Sequence, residues 1–260
     1  TAHRIMTGAP IPAGATAVVP VEATDGGTET VTITEEPRAG QHVRCAGEDV
    51  RAGDTVLTVG TRLTAPALGL AAALGLETLT VHPRLRVVIA STGSELVPPG
   101  TPLKPGQIYE SNAVMLAAAV QEAGADAVVA PTVADDVDQF LSVLEEFGAQ
   151  ADLVITTGGV SAGAYEVVKD ALTDAGVQFV SVAMQPGKPQ GSGHVNGVPV
   201  LTLPGNPVSA LVSFEVFIRE PPRAAMGLDP ARTCHEAVLT DPISAPAGKR
   251  QFRRGCWDAD

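Results

Sequence analysis

The spacing of apolar residues divides the chain into two regimes. From residue 84 onward, short valine-rich runs alternate with longer amphipathic stretches. The runs predict strands at 86–90, 127–133, 153–156, 178–182 and 198–203, and the stretches predict helices at 111–123, 137–147, 164–175 and 207–226. Ser111 stands where an N-cap belongs and Gly124 where the same helix should stop. Strict β/α alternation of this kind implies a mostly parallel, doubly wound sheet with helices on both faces. Upstream the pattern differs. Polar and apolar residues alternate over 28–34, the period of a half-buried strand, and glycines at 26, 27, 40, 47, 53 and 60 break the sequence into short pieces. A helix is expected over 64–74, with Thr64 as cap, Pro66 in the first turn and Gly75 as the stop. A last strand-like run covers 250–257. The expected division is a partial β-rich domain at 1–48, a linker and helical part at 49–83, the α/β domain at 84–231, and the start of a C-terminal β domain at 232–260. The chain opens on Thr1 without an initiator Met and closes just past a strand-like run, so a piece of a longer protein is expected.

Composition narrows the class. Hydrophobic residues make up 45% and charged residues 18%, a globular balance rather than a disordered one. Aromatics are only 3%, so Val, Ala, Leu and Ile must build the core. The formal net charge of −12, with no Lys/Arg cluster, argues against a nucleic-acid partner. An acidic chain binds anions through helix N-termini and a few placed cations instead. Cys45, Cys234 and Cys256 are far apart and form no CxxC pair, which disfavours a disulfide framework or a zinc site. No apolar run reaches the ~18 residues that span a bilayer, and no signal peptide is visible. A cytoplasmic protein without a membrane partner is therefore expected.

In an open parallel sheet, ligands bind beyond the carboxyl ends of the strands. Those ends read, in order, Ser91-Thr92-Gly93-Ser94-Glu95, Asp135-Asp136, Thr156-Thr157-Gly158-Gly159-Val160-Ser161, Gln185-Pro186-Gly187-Lys188-Pro189, and Leu203-Pro204-Gly205-Asn206-Pro207-Val208-Ser209. Glycine lets backbone N–H groups approach a phosphate, and the following helix offers its positive end. One such loop alone reads better as a tight βα turn; several on one edge read better as an oxyanion-lined pocket. Glu95, Asp135 and Asp136 are hard carboxylates of the kind that hold Mg²⁺ together with substrate phosphates, although Asp136 reads equally well as a helix cap. Lys188, in a rigid turn, suits an oxyanion or an exposed surface position.

One motif points to a different class. Gly159-Val160-Ser161-Ala162-Gly163 has the G-x-S-x-G form of a nucleophile elbow, with Ser161 as the serine-hydrolase nucleophile. A triad also needs a downstream histidine, and only His194, in a glycine-rich hairpin-like stretch, and His235, beyond the sheet domain, qualify. No HGGG-like oxyanion segment precedes the serine. His3, His42 and His82 are scattered.

Taken together, several segments carry a resemblance: RIMTGAPIPAGATAVVP (4–20), GED (47–49), STGSEL (91–96), GQIYESN (106–112), DD (135–136), TTGGVSAGAYEVVKD (156–170), PGKP (186–189) and LPGNPVSA (203–210). In this order and spacing, across nearly the whole chain, they resemble the molybdopterin molybdenumtransferase (MoeA) family, which includes the gephyrin E domain. The sheet domain alone is similar also to pterin adenylyltransferases (the MogA-like molybdopterin-binding fold) and to CinA-like proteins; the TGAPIP and GED segments favour the transferase. The resemblance implies a Mg²⁺-dependent enzyme of molybdenum cofactor biosynthesis that inserts molybdate into adenylylated molybdopterin and releases AMP. It implies catalytic roles for Thr7, Asp49, Glu95 and Asp135, and metal ligation by Glu95, Asp135 and Glu166. Lys188 and Ser209 match molybdate-binding positions, and Arg254 is a weaker match. Gly158, Gly159, Ser161, Pro204, Gly205 and Asn206 match pterin- or nucleotide-binding loops, and Thr92, Gly93, Pro186 and Gly187 complete the substrate-binding set. It further implies a homodimer, with the N-terminal segments completing the partner's site, and the molybdopterin adenylyltransferase as a possible partner. The chain departs from the pattern at Gln185, where many members carry Lys, at Glu166 for Asp, and at Ala164 for an acid; the DGYA segment and most of a C-terminal domain are not in it. Gln185 and the missing segments favour a second reading, a pterin- or nucleotide-binding scaffold without catalysis.

Overall fold

The structure, a computed structural model, describes residues 1–134, 136–158 and 167–256. It falls into two compact units, Thr1–Glu77 and Thr78–Asp260.

The first unit holds one α-helix, α1 (Ala65–Ala73), and one turn of 3₁₀ helix at Val21–Ala23. Pro66 sits in its first turn and Gly75 follows its last, as the sequence signals require, but Thr64 makes no side-chain capping bond. The strand expected at 28–34 does not form. Its only ladder contact is the isolated antiparallel bridge Thr24–Ile33. A strand without a sustained partner leaves its N–H and C=O groups unpaired. Here Asp25 takes over the local order, its Oδ1 accepting from the Thr32 and Gly27 N–H groups, each at 3.0 Å. Those N–H groups, Thr32 first, hold the Asp25 carboxyl below the usual carboxylate range. Among the described residues, this region is turns and bends rather than sheet.

The second unit is built on a six-stranded sheet of β1 (Arg86–Ser91), β4 (Asp126–Val129), β5 (Leu153–Thr157), β6 (Gln178–Ser181), β8 (Pro189–Val195) and β9 (Val198–Leu203), in the order β4-β1-β5-β9-β8-β6. Neighbours from β4 to β9 are parallel, and β8 runs against both β9 and β6. Two small pairs lie outside it: β2 (Leu96–Val97) with β3 (Ile108–Tyr109), and β7 (Met184–Gln185) with β10 (Arg250–Gln251). The helices are α2 (Asn112–Glu122), α3 (Val137–Gly148), α4 (Val167–Asp174), α5 (Pro207–Ser213) and α6 (Glu220–Ala225).

Alternation along the strands sorts the core into two layers. Val87 and Ile89 of β1 and Ile155 of β5 face Leu116, Val120, Phe214 and Ile218. Val88, Ala90 and Val154 face the other way, against Phe140, Leu144 and Leu172. Helices therefore cover both faces, as the β/α alternation demanded.

Four details differ from the sequence expectation, each for a local reason. β4 stops at Val129 because Pro131 cannot donate to a ladder, and the chain rejoins β1 only at the Thr92–Val133 bridge. β8 was not counted as a strand; it pairs with β9 through a turn whose Asn196 and Gly197 both have positive φ, the signature of a two-residue hairpin. The single helix expected over 207–226 is interrupted by a π-helical turn, Phe214–Ile218, closed by Arg219 N–H donating to the Phe214 carbonyl at 2.9 Å. Pro221 and Pro222 lack the donors that would continue a regular ladder, and the extra residue absorbs the mismatch. Past α6, among the described residues, the expected β region contains only β10. The segment that follows α6 is held by arginines: Arg219 donates to Pro230 O at 2.8 Å, Arg223 to Asp229 O at 2.7 Å, and Arg232 to Glu215 at 2.9 and 2.5 Å. Burial draws the Arg219 guanidinium below its ordinary pKa, and the hydrogen bond to Glu215 raises that of Arg232.

Phe140 is fully buried at the centre of the second layer. Phe140→Ala should therefore cost about 3–5 kcal/mol, read as a lower urea midpoint at unchanged m-value. A loss under about 1 kcal/mol would show that this layer is loosely packed.

Candidate functional site

The site begins where three parallel strands end level. Ser91 of β1 pairs with Thr157 of β5, and Thr157 with Leu203 of β9, so the loops that follow them leave the sheet side by side. Gly158 has φ +97°, and a Cβ there would lie 2.3 Å from the Thr92 carbonyl oxygen. Only glycine permits both this backbone conformation and this approach. Gly205 lies against Gly158, with a Cβ at 205 falling 3.5 Å from the Gly158 Cα. Thr92, Gly158, Pro204 and Gly205 thus form one contiguous floor.

The acidic rim follows from the same loops. A side chain at Gly93 would strike the Glu95 carboxylate at 2.7–2.9 Å, so that exposed carboxylate lies over the bare backbone of Gly93. Gly93 N–H donates to Val133 O at 3.1 Å, which brings the segment before the aspartate pair beside the Thr92–Glu95 loop. Asp136 is the cap of α3, its Oδ1 accepting from Gln139 N–H at 3.0 Å, and that is the structural alternative its position offered. Asp135, Gly159, Ser161 and Glu166 lie outside the described residues.

On the other side, Asn206 caps α5, its Oδ1 accepting from the Ser209 N–H at 3.1 Å and from the Ser209 hydroxyl at 3.3 Å. The turn holding Pro186, Gly187 and Lys188 starts at β7 and ends at β8. It packs on α5 through Gln190, whose Nε2 donates to Gly187 O at 2.8 Å and to Ser213 Oγ at 2.5 Å. Lys188 and Gln185 are exposed there. β10 lies along β7, and Phe252 N–H donates to Gln185 O at 2.8 Å, so exposed Arg254 follows two residues after a contact with this turn.

Thr7 and Asp49 belong to the first unit. Thr7 is exposed in a turn, and Asp49 forms an exposed ion pair with Arg44, of a kind that contributes about 0–1 kcal/mol.

Two site residues were not singled out from sequence. Glu110 is 6% exposed, and its Oε1 accepts from Ser91 Oγ at 3.0 Å and from Ala113 N–H at 2.8 Å. It provides the capping bond of α2 that Ser111 was expected to make; Ser111 makes none. Asn112 Nδ2 donates to Thr157 Oγ1 and to Gly205 O, both at 2.8 Å. Both stand in the GQIYESN segment, where the helix-cap pattern drew attention to the serine between them. Among the described residues, the buried Thr92 Oγ1 and Asn112 Oδ1 have no hydrogen-bond partner. Each such group costs about 1–3 kcal/mol, which marks a place where stability yields to another requirement.

A doubly wound sheet with glycine loops converging on one carboxyl edge defines a ligand-binding α/β domain, and comparison with known proteins specifies it. Residues 88–224 match the family described as a probable molybdopterin binding domain, and residues 1–75 match the MoeA N-terminal region (domain I and II). The chain is 63% identical over 266 residues to molybdopterin molybdenumtransferase 2 of Mycobacterium tuberculosis, covering 99% of this chain and 66% of that protein. It is 37% identical to the molybdopterin molybdenumtransferase of Haemophilus influenzae, covering 99% of this chain and 65% of that one. A crystal structure of the molybdopterin biosynthesis MoeA protein of Pyrococcus horikoshii superposes with a TM-score of 0.63 at 31% identity, over 84% of this chain and 55% of that one. The chain belongs to the molybdopterin molybdenumtransferase (MoeA) family, and it spans about two thirds of the length of the two transferases and 55% of the Pyrococcus protein. No described helix is long and apolar enough to cross a membrane.

The two glycines of the floor should respond differently to a methyl group. Gly158→Ala should destabilise by about 1–3 kcal/mol, from positive φ and the clash with Thr92. Gly205→Ala, where the new Cβ meets only ordinary contacts, should stay within about 1 kcal/mol of the parent. Urea denaturation of both variants checks this, and equal losses would contradict the packing described.

Proposed function

We propose that this chain carries the site of a molybdenum-inserting transferase, in which adenylylated molybdopterin and molybdate give molybdenum cofactor and AMP. The observation that carries the reading is the convergence of Thr92, Gly158 and Gly205 on one edge with the Glu95 carboxylate beside them. Family membership supports the substrate class. In this reading the bare backbone of the Gly158 and Gly205 loops receives phosphate oxygens, and Thr92 and Ser209 orient them. Lys188 and Arg254 supply positive charge for molybdate, which an overall acidic chain needs locally. Gln185 contributes polarity there without charge.

Mg²⁺ fits the donor chemistry of this edge. Glu95 is an exposed hard carboxylate lying over the bare backbone of Gly93, and Mg²⁺ commonly takes one or two carboxylates plus substrate phosphates. Glu95, with Asp135 and Glu166, would hold it. When bound, it would neutralise charge on the phosphoanhydride whose cleavage releases AMP. Among the described residues no group of three or more His, Cys, Asp or Glu could hold a metal without substrate. Thr7 and Asp49 act, in the same reading, from the partner copy of a cytoplasmic homodimer, and the molybdopterin adenylyltransferase delivers the substrate.

Serine hydrolysis is the weaker reading. His194 pairs with Pro199 near the start of β9, at the sheet edge opposite the loop that follows β5. A histidine there is a strand length from the carboxyl end of β5, and Ser161 itself lies outside the described residues.

Glu95→Ala should lower molybdate-dependent AMP release on the order of 10²-fold or more while leaving binding of adenylylated molybdopterin within a few-fold. Chromatographic AMP assay and calorimetry measure the two. Equal loss of both would make Glu95 structural, and AMP release independent of molybdate would defeat the transferase reading.

A further inference from the structure

We infer that Asn112 is a positioning residue for the nucleotide half of the substrate, setting the spacing between the loops that follow β5 and β9. The inference rests on the reading of this edge as an adenylate-binding site. The Gly205 carbonyl only accepts hydrogen bonds, so the atom 2.8 Å from it is the amide nitrogen of Asn112. The same nitrogen reaches Thr157 Oγ1 at 2.8 Å, and Thr157 Oγ1 reaches Pro204 O at 3.4 Å. One NH₂ group therefore ties the last residue of β5 to the backbone of the loop after β9. Both its hydrogens are used. A second anchor fixes the position of Asn112 itself, because Glu110 holds the first turn of α2 to Ser91 at the end of β1. The ends of β1, β5 and β9 are thus linked through two neighbouring side chains, Glu110 and Asn112.

The arrangement is specific to a carboxamide. Aspartate would set a negative oxygen against the Gly205 carbonyl, and leucine would leave that carbonyl and the Thr157 hydroxyl without this donor. Asn112 is only 9% exposed, and its Oδ1 is buried without a partner among the described residues. A side chain placed only for stability would be expected to satisfy both ends of its amide or to be apolar. Here one end is given up so that the other ties the end of β5 to the loop after β9. Gly158, which follows Thr157, and Gly205 meet just beyond these two anchors, and their separation defines the floor.

The test separates positioning from stability. Wild type, Asn112→Ala and Val177→Ala are compared by calorimetric titration with AMP and by thermal denaturation. Val177 is a buried core residue at the opposite end of the sheet, just before β6, so its truncation lowers stability without touching this edge. Asn112→Ala should weaken AMP binding about tenfold or more, the scale of one lost hydrogen-bond anchor. Val177→Ala, with an equal or greater fall in the denaturation midpoint, should bind AMP within about twofold of wild type. Wild-type affinity in Asn112→Ala would overturn the inference. So would an equal loss of affinity in Val177→Ala, which would make the effect one of stability. Absence of AMP binding by the wild type would instead overturn the adenylate reading itself, and the inference with it.

Discussion

The level ending of β1, β5 and β9 is the constraint on which the rest depends. The register Ser91–Thr157–Leu203 sends three loops off one edge together, and each must turn immediately because helices cover both faces of the sheet. Tight turns select glycine, and glycine leaves backbone exposed where side chains would otherwise stand. A one-residue shift of β5 would exchange its two faces, bury the wrong side chains and carry Gly158 away from Thr92. The packing that stabilises the domain and the geometry that forms the edge are therefore the same set of contacts.

The charge distribution follows a similar economy. A chain of net charge −12 that takes the anionic substrate proposed above would do so without a broad basic surface. What it offers is local: backbone amides of the glycine loops, Lys188 in the turn before β8, and the basic stretch Arg250, Arg253 and Arg254, which the β7–β10 pairing lays beside Gln185. Arg250 rests over the Phe252 ring at 5.5 Å and Arg253 donates to Ser244 O and to Gln251, which order the stretch. Short-range placement of this kind compensates for unfavourable long-range charge.

Much of this was legible in the sequence where one local rule governs. The short valine-rich runs gave the β1, β5 and β9 strands, Gly124 ended α2, and the strand-end rule pointed to Thr92, Gly158 and Gly205. What was not legible depends on partners distant in the chain. The alternation at 28–34 looks like a strand, but no neighbouring strand pairs along it. β8 was hidden by its glycines, which a strand tolerates here only because Thr202 and Gly176 crowd its surface. Glu110 took the cap that Ser111 was expected to supply because the end of β1 holds a hydroxyl within its reach. Asn112 reads as an unremarkable helix-start residue until β5 and the loop after β9 are brought to it.

The central claim is that the strand-end loops of this one edge form a single substrate site. Amide hydrogen exchange with and without adenylylated molybdopterin tests it most directly, since exchange reports each loop separately. The account predicts protection at 91–97, 156–158, 185–190 and 203–210 together, with the opposite edge at 194–199 unchanged. Protection centred on that opposite edge, or protection of only one of the loops, would contradict it.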